Sequence, residues 1–364
     1  MARTHFVLPT IVGAVLLLAV TGCGSGAVAE AATVSRGTIG IAMPTTASPR
    51  WISDGNNIAK QLRLLGYQSE LRYGEDDVQK QVAQIGAMID HRDKVLVIAA
   101  IDGGALTAVL RRAGAANIPV IAYDRLIRNS PDVSFYASFD NYRVGVLEAS
   151  YLVGRLGLNP GRAPATIELF AGSPDDNNAA FFFTGSMSVL RPYLRSGQLV
   201  VASGQTAFAQ TTTMRWDGVV ARTRMARILA TAYGSRRIDA VLSPYDGISR
   251  GVLDALRAAG YGRAGTAIPL VTGQDAELDS VKLIVSGSQA ETVYKDTREL
   301  AKVAVQMTNS LLTGGTPEVN DTAQYNNGTK IVPSFLLQPV SVTRQNYQSV
   351  LVGGGYYTAA QLAG

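Results

Sequence analysis

The side chains best equipped for chemistry in this sequence are Asp, Asn, Arg, Lys and Trp, and they recur just beyond short apolar runs. Arg50 and Trp51 come after Met43, Asp124 and Arg125 follow Tyr123, and Gly172-Ser-Pro-Asp-Asp-Asn-Asn178 follows Ala171. A loop after Ser203 leads to Trp216, Asp246 comes after Ser243, Asp275 after Thr272, and Lys295 after Val293. Planar acceptors and donors with aromatic faces suit a neutral polyol. A carboxylate accepts from two adjacent hydroxyls, Arg or Asn donates to the same hydroxyls, and an indole covers the C–H face of a pyranose ring. Hydrogen bonds with one ionised partner contribute roughly 1.5–3 kcal/mol each. Asp124 and Arg125 are expected to pair, which lets both stay charged in a closed site.

Each residue also has a plainer reading. Asp175 is assigned to capping the helix that follows and Asp176 to the site. Asp246-Gly247 also fits a turn that opens a helix. Arg50 fits a surface position beside a buried Trp51, and Trp216 fits a core, although Arg215 and Asp217 flank it. Lys295 can pair with Asp296 or Glu299 on a helix surface. What strengthens the set is its shared place at strand ends.

Other chemistries find little support. The chain has one Cys, so no intrachain disulfide and no cysteine-rich zinc site, and two His. His5 lies in the leader described below, and His91, between Asp90 and Arg92, reads as a surface residue. That is a poor start for a His-based triad or a His-rich metal site. No phosphate-cradling P-loop is present, and Gly154-Arg-Leu-Gly157 reads as a helix end. No cofactor and no metal are called for. The net charge is +5, spread along the chain, and clusters such as Arg222/Arg224/Arg227 lie among apolar residues. Nucleic-acid binding wants a focused basic stripe, so it is not expected. A glycoside-processing enzyme using two of Asp176, Asp246 and Asp275 stays open, because its carboxyl spacing is a matter of geometry.

The elements that must position these residues alternate. Apolar runs at Thr38–Met43, near Tyr73, Val95–Ala100, Val120–Tyr123 and Val133–Ser138 read as strands, with helical stripes such as Val78, Val82, Ile85 and Ile89 between them. The pattern starts again with strands at Thr166–Ala171, Leu199–Ser203, Ala240–Ser243 and Leu270–Thr272. Such alternation means βαβ units and an α/β fold with parallel sheets flanked by helices, and two successive runs suggest two similar lobes. A long helix carrying Leu300 to Leu312 precedes short strands near Ile331 and Phe335–Val340, so the chain is expected to cross between lobes more than once. Ligands of open parallel sheets bind beyond the carboxyl ends of the strands, where the polar set lies.

The N-terminus reads as an export signal. Arg3 precedes an apolar stretch, Phe6 to Val20, that ends in Thr21-Gly22-Cys23. Small residues before this Cys resemble a bacterial lipobox, which gives residues 1–22 as a lipoprotein signal peptide, Cys23 as the lipidated N-terminus and 23–36 as a tether. No later segment has 18 uninterrupted apolar residues, so the rest is expected to be soluble outside the cytoplasm, anchored to the cell membrane.

Several strings carry a family resemblance. Ile41-Ala-Met-Pro-Thr45, Arg50-Trp51 with Asp54-Gly-Asn-Asn57, Ile121-Ala-Tyr-Asp-Arg-Leu-Ile-Arg-Asn129 and Gly172–Asn178 resemble periplasmic multiple-sugar-binding receptors. Ser243-Pro-Tyr-Asp-Gly247, Gly273-Gln-Asp-Ala-Glu277 and Val293–Leu300 continue the match, which runs from about Gly37 to Tyr357. The resemblance implies a type I substrate-binding protein of the kind that feeds ABC importers, with two Rossmann-like lobes joined by three hinge strands. Its lobes would be 37–139 with 296–333 and 140–295 with 334–364. Its hinges would lie near Ser138–Asn141, Tyr294–Asp296 and Pro333–Leu336. Its sugar contacts would fall on Arg50, Asp124, Arg125, Asp176, Asn178, Trp216, Asp246, Asp275 and Lys295, with Trp51 and Asn177 beside them.

The ligand implied is a monosaccharide, an aldopyranose such as xylose, glucose, galactose or arabinose, held without chemical change by a monomer. Partners implied are the membrane subunits of an ABC permease or, alternatively, a chemoreceptor or histidine kinase. Sugar-responsive repressors share the fold, but an export signal stands where their DNA-binding helices would be. The lipobox departs from the Gram-negative members, which are usually free in the periplasm.

Overall fold

The computed structural model describes residues 35–158, 161, 163–234 and 236–363; the leader and Cys23 lie outside them. The first run is β1 (Thr38–Met43), α1 (Pro49–Leu64), β2 (Gln68–Tyr73), α2 (Val78–Asp90), β3 (Leu96–Ile98), α3 (Thr107–Ala115), β4 (Val120–Tyr123) and β5 (Val133–Phe139). The second is α4 (Asn141–Leu156), β6 (Ala165–Leu169), α5 (Asn177–Arg195), β7 (Leu199–Val200), α6 (Phe208–Thr211), α7 (Gly218–Ile228), β8 (Ala240–Leu242), α8 (Asp246–Ala258), β9 (Leu270–Val271), α9 (Leu278–Ser286) and β10 (Thr292–Tyr294). Then follow α10 (Thr297–Leu312), β11 (Ser334–Leu337), β12 (Val340–Val342) and α11 (Ala359–Leu362).

Six strands form the first sheet in the order β11-β5-β4-β3-β1-β2, all parallel. The second sheet runs β7-β6-β8-β9, also parallel, and a bridge between Gln274 and Val293 adds β10 at its far edge. Both runs therefore use the doubly wound order in which the second strand lies outside the first and the third inside it. The reason is in the strands. β3 and β4 are apolar and buried throughout, and such two-sided strands need helices on both faces. One face of the first sheet carries Leu96, Ile98, Leu110 and Val120, and the other carries Val97, Ile121, Leu300 and Val303. Helices α4 and α5 approach closely because Gly145 and Gly185 face them: a Cβ there would meet the Phe182 or Tyr142 carbonyl oxygen at 1.9 or 2.1 Å.

The chain crosses between the sheets three times. It leaves β5 through Asp140, whose side chain caps α4 at the Arg143 amide. It returns from β10 through Lys295 and Asp296, and Asp296 caps α10. It leaves again between β11 and β12, and β12 pairs antiparallel with β10. Here the expected boundary is corrected. Ser334–Leu337 pairs with β5 in the first sheet, so the last crossing comes after Leu337 and not at Pro333–Leu336. Phe335 and Leu337 pack on one face of that sheet and Leu336 on the other, which draws the strand in. Among the described residues no helix is long and apolar enough to cross a membrane.

Candidate functional site

The carboxyl ends of the strands in both sheets face one cavity of about 470 Å³, within the ~300–1,000 Å³ usual for small-molecule sites. Nine of the eleven ligand positions expected from the sequence line it. Arg50, Trp51, Asp124 and Arg125 come from the first lobe. Asp176, Asn178, Trp216 and Asp275 come from the second, and Lys295 from the crossing between them.

Arg50 is the centre of the arrangement. It stands in the first turn of α1, started by Ser48-Pro49, and is buried. Its Nε reaches Asp54 Oδ2 at 3.2 Å, one turn along the same helix. One terminal nitrogen donates to Asp124, and the other lies 3.2 Å from both oxygens of Asp275 in the opposite lobe. Lys295, only 2% exposed, adds a cation 3.0 Å from Asp275 and 3.8 Å from Asp124. Arg125 Nε pairs with Asp176 across the cleft at 3.0 Å, and not with its neighbour Asp124 as expected, which takes Arg50 and Lys295 instead. The Arg50 and Arg125 guanidinium carbons lie 4.7 and 5.1 Å from the Trp51 ring centroid, so the indole makes cation–π contacts with both.

Asn178 is locked rather than free. Its Nδ2 donates to the Asp124 carbonyl at 2.8 Å, and its Oδ1 accepts from Tyr136 and Asn141 at 3.0 Å each. Asp124 and Asp275 both take left-handed backbone, with φ of 58° and 89°, at the ends of their strands. Such angles turn the side chain sharply off the strand, towards the cleft. The Arg215–Trp216 corner does the same, with φ of 55° and 59°. There the Trp216 ring meets Phe182 and Tyr245 edge-on, both at 6.1 Å. Gly172 makes room for it: a Cβ at that position would lie 1.9 Å from the indole.

Protonation is graded across these groups. Burial works to raise Asp124, but Arg50 and Lys295 outweigh it and hold its carboxyl down at about 2. Asp54 shares Arg50 and accepts from the Tyr123 hydroxyl, yet burial pushes it up to about 7. Burial also raises Asp176 despite Arg125. A second buried acidic group lies behind the cavity. Glu148 on α4 has no hydrogen-bond partner for either carboxyl oxygen, and burial, with Glu291 nearby, pushes it well up. Glu291 accepts from Ser341 at 2.5 Å and is pushed by burial to about 8.

Three further expectations change. Asp176, not Asp175, is the N-cap of α5: its Oδ1 accepts from the Asn178 amide at 3.0 Å while Oδ2 faces Arg125. Asp175 instead pairs with Arg215 at 2.7 Å and accepts from Ser173. Asp246 does not line the cavity. It opens α8, fully buried, and accepts from the Glu277 amide and from Gln289, both at 2.8 Å, so it braces the loop that carries Asp275. Asn177, the first residue of α5, also does not line the cavity. Sequence reasoning passed over Arg215, Phe182, Tyr245 and Gln274, which line the cavity too. Tyr245 and Gln274 stand directly beside chosen aspartates, and strand-end position alone flags them equally.

Residues 39–316 match the periplasmic binding protein domain family model. The chain is 57% identical to the multiple sugar-binding periplasmic receptor ChvE of Rhizobium radiobacter, over 92% of this chain and 95% of that one. It is 34% identical to the D-xylose-binding periplasmic protein of Escherichia coli, over 89% and 92%. Among solved structures it resembles an ABC transporter solute-binding protein from Clostridium phytofermentans with bound β-D-glucose. The TM-score is 0.86 and the identity 45%, covering 89% of this chain and 99% of that one. With its doubly wound lobes, its cavity between them and this breadth of similarity, the chain belongs to the periplasmic binding protein family, whose members bind ligands and are not enzymes.

Proposed function

We propose that this protein captures a monosaccharide outside the cytoplasm by closure about its three crossings and hands it to an ABC importer. The ligand is an aldopyranose such as xylose, glucose, galactose or arabinose. The observation that carries the reading is the network in which Arg50 of one lobe and Lys295 at the crossing meet Asp275 of the other, with Trp51 and Trp216 as aromatic walls. Charged side chains fixed by one another present acceptors and donors at set directions, which is what ring hydroxyls require. A ligand touching both lobes binds the closed form better than the open one and shifts the balance towards it. The relatives named for multiple sugars and for D-xylose, and the relative with bound β-D-glucose, support this ligand class. Cys23 carries the lipid that keeps the receptor at the membrane.

The test is a thermal-shift and calorimetric screen of residues 35–364 against D-glucose, D-galactose, D-xylose and L-arabinose. At least one raises the melting temperature and is recovered unaltered. No stabilisation by any of the four, or a chemically changed sugar, overturns the reading. Palmitate labelling lost on Cys23→Ser checks the anchor, and equal labelling of both proteins rejects it.

A further inference from the structure

We propose that Ser48 and Glu277 form a latch across the mouth of the cleft, holding the closed form rather than gripping the ligand. The proposal rests on the closure reading above. Ser48 is the N-cap residue of α1 and has the extended backbone of a cap, with φ of −102° and ψ of 123°. Serine at this position ordinarily accepts a hydrogen bond from an amide of its own first turn. Here the hydroxyl makes no such bond and instead donates to Glu277 Oε1 in the other lobe at 3.1 Å. Glu277 is the N-cap residue of α9, and it too leaves its own helix uncapped by its side chain. Two caps facing each other across the cleft thus forgo their local partners for one another.

Glu277 is pre-set for this role. Tyr245 donates to Oε1 and Arg250 to Oε2, each at 2.7 Å, and the Glu277 amide is tied to Asp246. All three of those partners lie in the second lobe, so the carboxylate waits in place whether or not Ser48 arrives. Ser48 borders the cavity, but its hydroxyl is committed to Glu277, which itself does not line it. Tyr245 does, and its ring stands edge-on to Trp216, so the latch and the aromatic wall share one side chain. Ser48 and Glu277 are therefore positioning residues that act on the rate of opening.

Trp51 and Trp216 are the chain's two tryptophans and both line the cavity, so stopped-flow tryptophan fluorescence with D-glucose reads binding directly. A hydrogen bond to a charged group sets the expected effect: Ser48→Ala speeds dissociation on the order of tenfold while association changes less than about twofold. Ser48→Thr, which keeps the hydroxyl, restores the wild-type dissociation rate. Glu277→Ala speeds dissociation as well, and the double variant is no faster than Glu277→Ala alone, because the two residues act as one unit. An unchanged dissociation rate in Ser48→Ala, or additive effects as for a direct contact of Ser48 with sugar, overturns the latch. X-ray scattering of the wild type separates the two failures. Binding of D-glucose without compaction overturns closure itself, and the latch with it, and a wild type unresponsive to all four sugars overturns the sugar reading beneath both.

Discussion

Two groups of buried acids lie within this protein, and they differ in what surrounds them. Asp124, Asp275 and Asp176 at the cavity, and Asp54 beneath them on α1, each have a cation within ion-pair distance. Glu148 and Glu291, behind it, have no ion-pair partner among the described residues, and three of their four carboxyl oxygens lack any hydrogen bond. Burial is alike in both groups, so it cannot decide protonation by itself. Where Arg50 and Lys295 answer it, Asp124 stays ionised down to about 2; where only the Ser341 hydroxyl and no paired cation answers it, Glu291 keeps its proton up to about 8. At the front the paired cations hold Asp124 charged, although burial still raises Asp54 and Asp176, whereas the rear pair is held neutral near the crossing strands.

The sharpest way to break this comparison is Asp275→Ala. Truncating one partner of a buried charge pair costs about 2–5 kcal/mol, so calorimetric affinity for sugar is lost or falls at least about thirtyfold. Far-UV dichroism stays unchanged. Retained affinity would remove the front group from the ligand.

The rear group is tested through pH. Folding raises the Glu291 carboxyl from its ordinary 4.5 to about 8, so between these values the folded chain holds a proton that the unfolded chain has released. Stability therefore declines as pH rises from about 4.5 to about 8 and levels beyond, by a few kcal/mol for a group this deeply buried. Urea unfolding across that range shows the slope, to which Asp54 also contributes with the same sign, and Glu291→Gln makes it shallower; an unaltered slope refutes a protonated Glu291. Asp124 has the opposite sign, since its folded value lies below 3.8, and its contribution is lost only as pH falls towards about 2.

Trp216→Ala comes next, with a loss of about 2 kcal/mol in sugar binding. Gly172→Ala is expected to act in the same direction by displacing the indole, and equal affinities by calorimetry would place the ring outside the ligand's reach. The smallest effect on affinity belongs to Asp246→Ala, below about tenfold, because Asp246 reaches the site only through the Glu277 amide. It lowers the melting temperature instead, by leaving buried donors unpaired at about 1–3 kcal/mol. A loss as large as that of Asp275→Ala would restore Asp246 to the ligand shell.

Much of this was legible in the sequence, for a physical reason. Strands covered on both faces must be apolar throughout, so Val120–Tyr123 stands in the structure where its apolar run ends in the chain. The site was legible because parallel strands deliver their carboxyl ends to one side, which gathers Arg50, Asp124, Asp275 and Lys295 from positions 245 residues apart in the chain at their widest. What stayed hidden turns on single torsions and short elements. Whether Asp175 or Asp176 caps α5, and whether Tyr245 or Asp246 faces the cavity, depends on one backbone step at a helix start. Strands β7 and β9 lie inside the expected runs Leu199–Ser203 and Leu270–Thr272 but keep only two residues each, an end point that no period marks. The place of β11 required knowing that its neighbour would be β5, a pairing across nearly 200 residues.

The corner at Arg215 and Trp216 has one more implication. Two successive L-residues in left-handed backbone, one of them a bulky aromatic, hold a conformation worth roughly 1–3 kcal/mol of strain each. Replacing Trp216 by glycine would release part of that tension but also delete the ring that packs on Phe182 and Tyr245, so the strain is offset by the contacts the bend makes possible. The bend and the indole at the cavity wall therefore stand or fall together.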